Sequence, residues 1–209
     1  MDKIRILYFL EDRAQEGFIT ALVKRVASEL AIASDILVHD IRSARHGSKA
    51  ITEFRTFIKD TKHKKGEVIH GDFLVVSIDG NCKGCEQRVK QLGKYIKEDH
   101  PFKERVVYAV PDPHIERWYL MDQKALKKGI GIEKAPDVPT YKCKKDYYKK
   151  ILYQALKESN VNSLLGGSEY AEGIVANIDN LGLLAKQNAG FKTFIEDLKK
   201  MLKSNKMRD

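Results

Sequence analysis

Acidic side chains stand at three points where a run of strand-forming residues gives way to a turn or a helix. Ile4-Arg5-Ile6-Leu7-Tyr8-Phe9-Leu10 runs into Glu11 and Asp12, and Phe73-Leu74-Val75-Val76-Ser77-Ile78 runs into Asp79-Gly80-Asn81. Val106-Val107-Tyr108-Ala109-Val110 runs into Pro111-Asp112-Pro113-His114-Ile115-Glu116. In open α/β sheets ligands bind outside the carboxyl ends of the strands. Carboxylates gathered there from neighbouring strands suit a hard, hydrated cation, Mg²⁺ (or Mn²⁺). Such an ion takes one or two carboxylates and keeps room for phosphate oxygens. Glu11, Asp79 and Glu116 are therefore candidate catalytic and metal-binding residues, with Asn81 as a further oxygen ligand. The plainer reading is that these acids cap helix N-termini, where the helix dipole favours them. Three such coincidences weigh towards a metal site.

The elements that must position them alternate. After the first strand, Ala14 to Ala31 reads as an amphipathic helix with Phe18, Leu22, Val26 and Leu30 on one stripe. A short second strand, Ile36 to His39, follows. Ser48 resembles the N-cap of a helix carrying Ile51, Phe54 and Ile58. Residues Lys62 to Gly71 are polar and basic and read as a loop. Residues Cys85 to Asp99 read as a charged helix with Val89, Leu92 and Ile96 on its apolar side, ended by Pro101. Strand–helix alternation of this kind implies parallel βαβ crossovers and a Rossmann-like α/β sheet with helices on both faces. The chain then divides into an α/β domain over residues 1–125, a basic irregular connection over 126–144, and a C-terminal helical extension over 145–209 packing on the same domain. In the extension the helical patterns run through Tyr148, Ile151, Leu152 and Leu156, then Tyr170 to Ile178, then Phe191 to Leu202, and the tail from Ser204 should fray. Trp118 and Leu120 are expected in the core.

The net charge of +9 favours polyanionic partners, above all nucleic acid. From Lys124 to Lys150 nine lysines face only Glu133, Asp137 and Asp146, with Tyr141, Tyr147 and Tyr148 interleaved. Lysines neutralise phosphates and tyrosines stack on bases; a solvated face with inward-turned tyrosines gives the same pattern. Lys144, Lys145 and Lys149 are candidate phosphate contacts. His46, after the second strand, is another, and so is Arg117, which could instead pair with Asp112. His114 is read either as a phosphate contact or as a helix cap. No apolar run reaches the ~20 residues a membrane span needs, and the strand pattern that starts at Ile4 leaves no room for a secretory signal. Three cysteines are too few, and odd in number, for a disulfide framework, which suits a reducing cytoplasm.

A dinucleotide or P-loop enzyme would carry a glycine-rich loop after its first strand, and Glu11-Asp12-Arg13-Ala14 stands there instead. Cys82-Lys83-Gly84-Cys85 opens a helix after a strand and so imitates a thiol redox motif. Zinc is a second reading, with Cys82, Cys85 and Cys143 as thiolates and His114 or His100 as the fourth ligand. A zinc deaminase fails on order, because its H-x-E precedes P-C-x-x-C.

The order of the acidic stations resembles the TOPRIM fold shared by topoisomerases, DnaG-type primases and OLD-type nucleases. Glu11 matches the Glu ending its first strand, and Asp79 matches the first Asp of its D-x-D pair. Pro111 to Leu120 resembles the Pro-x-x-x-x-Glu-x-Trp-x-Leu segment of TOPRIM-like proteins related to OLD and RloB, many of them linked to phage defence. The likeness covers residues 3 to about 125. It departs at Asp12, where the family has Gly, at Asn81, which replaces the second Asp, and at Gln15, which stands where OLD-like members carry a second Glu. The resemblance implies a Mg²⁺-dependent nuclease of prokaryotic antiviral defence, with nucleic acid as substrate and a partner ATPase or other defence protein. In that mechanism Glu116 holds a second ion or activates water. The departures point to the alternative of a catalytically inactive TOPRIM-like module that binds nucleic acid or a partner. A C-x-x-C redox protein is the alternative from a different class.

Overall fold

The computed structural model describes residues 3–44, 47–63, 71–138 and 140–207. Four strands, β1 (Ile4–Leu10), β2 (Ile36–Ser43), β3 (Phe73–Ser77) and β4 (Val106–Ala109), form one parallel sheet in the order β2-β1-β3-β4. The register pairs Leu10 with Ser43 and Ser77, and Ser77 with Ala109, so the four carboxyl ends are level. β1 and β3 are near-continuous apolar runs because helices cover both faces of the sheet, as parallel sheets require.

Helices α1 (Arg13–Glu29), α2 (Ala50–His63) and α3 (Cys85–Gly93) follow the first three strands. Asp12 caps α1 by accepting from the Gln15 amide at 2.9 Å. Beyond β4 come α4 (Glu116–Tyr119), α5 (Gln123–Ile130), α6 (Tyr147–Glu158), α7 (Ala171–Ala176), α8 (Leu181–Ala185) and α9 (Ala189–Lys206). On one face of the sheet Ile6, Tyr8 and Leu10 meet Phe18, Leu22 and Val26 of α1, and the core runs on without a break into the C-terminal helices. Trp118 packs edge-on to Phe191 and flat on Phe194 at 5.1 and 6.0 Å between ring centres, which ties α4 to α9. On the other face Leu7, Phe9, Leu74 and Val76 pack on Phe54 and Ile58 of α2, Leu92 of α3, and Phe102. Among the described residues no helix is long and apolar enough to cross a membrane.

Several boundaries differ from the sequence reading. β2 extends to Ser43 rather than ending near His39, since it pairs along the whole of β1 across a register shift at Ile6/Leu7. α3 stops at Gly93, and turns rather than helix carry the chain to Pro101. The supposedly irregular connection begins with α5, capped by Asp122 and closed by Gly131 in the left-handed conformation. α9 continues to Lys206, past the expected fraying point at Ser204. Most of the loop assigned to Lys62–Gly71 lies outside the described residues.

Candidate functional site

Two of the predicted acids meet at the level carboxyl edge. β1 delivers Glu11, whose backbone N–H continues the sheet by donating to the Ser77 carbonyl at 3.0 Å. β3 delivers Asp79, whose backbone N–H donates to Glu11 Oε2 at 2.7 Å. Gln15, one helical turn beyond Glu11 on α1, reaches back to both. Its Nε2 donates to Asp79 Oδ1 at 2.8 Å and to Glu11 Oε2 at 3.5 Å, and its Oε1 accepts from the Glu11 N–H at 3.1 Å. His114 closes the far side, with Nδ1 3.1 Å from Asp79 Oδ2. Glu11, Asp79 and Gln15 are all buried, Gln15 completely.

Burial sets the electrostatics. It raises the Glu11 carboxyl well above its ordinary range, and the neighbouring Asp79 charge raises it further. Burial likewise raises Asp79, against a lowering by the His114 hydrogen bond. That hydrogen bond raises the His114 imidazole in turn, in spite of its own partial burial. Glu116 is raised chiefly by burial, and its charge bears on both Asp79 and His114. It therefore lies on the same edge of the sheet as Glu11 and Asp79.

The turn that carries Asp79 is tightly built. Asn81 and Cys82 both have positive φ, at 49° and 65°, a conformation that costs free energy for non-glycine residues and persists only when the surroundings enforce it. Three groups enforce it. The Gly80 and Asn81 N–H groups donate to the Pro111 and Pro113 carbonyls at 2.7 and 3.0 Å. Asp112 Oδ1 accepts from the Cys82 and Gly84 N–H groups at 2.9 and 3.4 Å. Arg88, buried on α3, donates to the Asp79 and Gly80 carbonyls at 2.8 and 3.2 Å and to Gln91 at 2.7 Å. Gly80 is obligatory here, because a Cβ would collide with the Asp112 carboxylate.

The remaining predicted residues fall in different places. Asn81 is exposed and its side-chain amide donates to the Asp79 carbonyl at 3.4 Å. Arg117 donates to the Asp112 backbone carbonyl at 2.9 Å and lies over the Tyr141 ring, so its contacts are structural. Lys149 and Glu116 line one cavity of about 290 Å³ with Asp12 and Arg13. Lys144 turns the other way, with Lys150, into a groove of about 1020 Å³ where Lys134, Lys144 and Lys150 are matched by Glu133, Asp137 and Glu158. Lys145 is exposed. The basic stretch thus does not form one continuous basic surface. His46 lies outside the described residues; its neighbour Gly47 sits beside Glu11, and a Cβ there would come 3.3 Å from Glu11 Oε1.

The cysteines overturn an expectation. Cys82 and Cys143 form a disulfide with Cα atoms 5.6 Å apart, although an odd trio argues against any such bond. Long-range folding brings Cys143 to the Asp79 turn, where Tyr141 also donates to Asp112 Oδ2 at 2.7 Å. The zinc reading fails with it: two of its thiols are bonded to each other, His114 is engaged by Asp79, and His100 sits by Thr61 and the Ile58 carbonyl. The C-x-x-C redox pair fails as well, since Cys82 takes Cys143 rather than Cys85 as its partner.

Arg88 and the bridging role of Gln15 escape the sequence reading. Gln15 has a usable signal in its four-residue spacing from Glu11 on one helix face, whereas Arg88 reads like any charge on α3. For a cation, the donor set fits in kind: two hard carboxylates, buried, with no lysine or arginine paired to either among the described residues. Among the described residues no group of three or more acids, histidines or cysteines is spaced to hold a metal. Mg²⁺ needs only one or two carboxylates and completes its shell with water and phosphate. No family model, curated protein or solved structure matches the chain.

Proposed function

We propose that the chain is a Mg²⁺-dependent (or Mn²⁺-dependent) TOPRIM-like hydrolase of nucleic-acid phosphodiesters, working in the cytoplasm in antiviral defence with a partner ATPase or other defence protein. The observation that supports it is the direct Glu11–Asp79 contact at the carboxyl edge, with both carboxyls buried and both raised. Burying two neighbouring acids is costly to the ionised pair even with His114 beside Asp79, and a bound divalent ion would relieve that cost. Glu11 and Asp79 would hold the ion, which supplies polarisation of the phosphodiester and stabilisation of the leaving oxygen. Gln15 orients both carboxylates through its amide. Arg88 fixes the backbone beneath Asp79. Glu116, whose carboxyl is raised chiefly by burial, would activate water. Lys149, in the same cavity, is placed to neutralise a phosphate. The test is cleavage of single- and double-stranded DNA and RNA in Mg²⁺, Mn²⁺ or EDTA, with Asp79→Asn as control. Metal-dependent cleavage lost in the variant supports the reading; no cleavage under any condition sinks it.

A second reading has its own observation. Gln15 and His114 already occupy both oxygens of Asp79, and Asn81 turns to a carbonyl. That arrangement favours a catalytically inactive module that binds nucleic acid or a partner. Binding of nucleic acid that is equal in Mg²⁺ and EDTA, with no cleavage, would select it.

A further inference from the structure

The cavity of about 290 Å³ beside the acidic pair has an unusual lining. Arg13 and Lys149 supply two cations, Asp12 and Glu116 two acceptors, and the half-exposed Leu165 an open apolar wall, with Leu152 buried behind it. A simple anion site would not need the leucines, and a hydrophobic pocket would not carry four charges. A nucleotide uses all three kinds of surface: cations for the phosphate, acceptors for hydroxyl or amino groups, and apolar faces for the flat ring.

One wall is built in advance. The loop from Ser163 to Ser168 winds around the Glu169 carboxylate, which accepts from the Leu164, Leu165 and Gly167 N–H groups at 2.9, 3.3 and 3.0 Å. Burial opposes ionisation of Glu169, yet hydrogen bonds from its own N–H, the Ser163 side chain and the Leu165 and Leu164 N–H groups hold its carboxyl below the usual range. Gly167, at φ 97°, lets the loop lie flat on α6, because a Cβ there would press to 2.9 Å on Leu152. The folded loop leaves Leu164 96% and Leu165 51% exposed. Leu165 lines the cavity while half exposed, so its apolar side chain is open to a ligand there.

We infer that this cavity receives one unpaired nucleotide of the nucleic-acid substrate, seating its ring against Leu165 and its phosphate on Arg13 and Lys149. The cavity lies at the small end of ligand-binding pockets, so it admits a single nucleotide and excludes a stacked base pair. The substrate is therefore a single strand, a frayed end or a flipped-out residue. This rests on the hydrolase reading for its substrate, but the cavity is testable by itself.

The experiment titrates adenosine 5′-monophosphate into the full chain in EDTA, followed by calorimetry and by the amide resonances of Gly166 and Gly167. Saturable binding with shifts at those amides is expected. Lys149→Ala with Leu165→Ala should weaken it at least tenfold, while Lys124→Ala with Lys128→Ala, on exposed α5, should leave it unchanged. A duplex oligonucleotide without ends or mismatches (a closed circle) should not shift the Gly166 and Gly167 amides. Absent binding, indifference to the Lys149/Leu165 change, or equal shifts with closed duplex would overturn the inference. The two readings separate: metal-dependent cleavage without nucleotide binding here removes the cavity and leaves the hydrolase, whereas binding without cleavage does the reverse.

Discussion

Replacing Asp79 by Asn tests the carboxylate pair without emptying the space. In the metal-free fold the Asp79 carboxyl, ordinarily near 3.8, is pushed up to about 6, and Glu11 to about 8. Folded values above the ordinary ones mean that this stability is fully present at low pH. It is lost as the pH rises through about 6 and then about 8. A tenfold change in a protonation equilibrium is worth about 1.4 kcal/mol, so ionising Asp79 costs the fold on the order of 3 kcal/mol. Asp79→Asn removes that cost but weakens the charge-assisted bond from His114, a bond of a type worth roughly 1.5–3 kcal/mol. The surplus at pH 8 is about 1 kcal/mol, or a melting temperature about 2–4 °C above wild type for a chain of this size. At pH 5, where wild-type Asp79 is largely protonated, the advantage vanishes or reverses. The coupling between Asp79 and His114, which raises the imidazole, disappears in the variant, and this flattens its profile further. Calorimetric melts in EDTA from pH 5 to 8 read this directly. Saturating Mg²⁺ should then raise the wild type by about 2.7 kcal/mol at a hundredfold excess over Kd, and the variant much less. Parallel profiles for the two proteins between pH 5 and 8 would refute the buried-pair argument.

Arg88→Met should destabilise the fold by about 3 kcal/mol in urea titrations, since it leaves the buried Asp79 and Gly80 carbonyls without their donor; a loss under 1 kcal/mol would show that water replaces the guanidinium. Reduction of Cys82–Cys143, which closes a loop of 61 residues, should cost about 4 kcal/mol on the chain-entropy account. Cys143→Ser should melt like the reduced wild type, and coincident melts of oxidised and reduced protein would contradict a constraint on folding. Replacing Lys144, Lys145, Lys149 and Lys150 by Ala should weaken nucleic-acid binding across sequences and reduce the salt slope by about 0.9 for each phosphate that is no longer neutralised. Because Lys149 faces the acidic site and Lys144 and Lys150 a charge-balanced groove, Lys149→Ala alone should account for most of the weakening; an equal share from each lysine would argue for a diffuse surface instead.

How far the sequence discloses this structure depends on the range of the interactions involved. Apolar runs such as Phe73–Ser77 are buried at every position, and their length and flanking turns are local signals. Parallel alternation then places Glu11 and Asp79 at one edge, because every strand of such a sheet ends there. α5 escapes the sequence reading although its cap, Asp122, and its closing Gly131 are in plain sight, because Gly129 and Pro136 draw the reading towards irregular chain. α8 is five residues long and announces itself only by Asn180, whose side chain accepts from the Gly182 and Leu183 N–H groups. The disulfide has no local signal at all. The role of Arg88 depends on two carbonyls exposed by a strained turn, and no periodicity in α3 foretells that.

The three acidic stations turn out to separate by what satisfies their oxygens. Asp112 is held by the Cys82 and Gly84 backbone N–H groups and by the Tyr141 hydroxyl, anchored beside a disulfide. The two backbone donors cannot move without dismantling the turn, so Asp112 is architectural. Asp79 is satisfied by two side chains, Gln15 and His114, rather than by backbone donors. An incoming ligand would have to displace the His114 contact and the Gln15 amide, which bonds Glu11 as well as Asp79. Glu11 is intermediate, with one oxygen accepting from the Asp79 N–H and the other lying beside Gly47. The same fold thus anchors Asp112 through backbone donors while its neighbour in space, Asp79, two residues past the end of β3, is held through side chains.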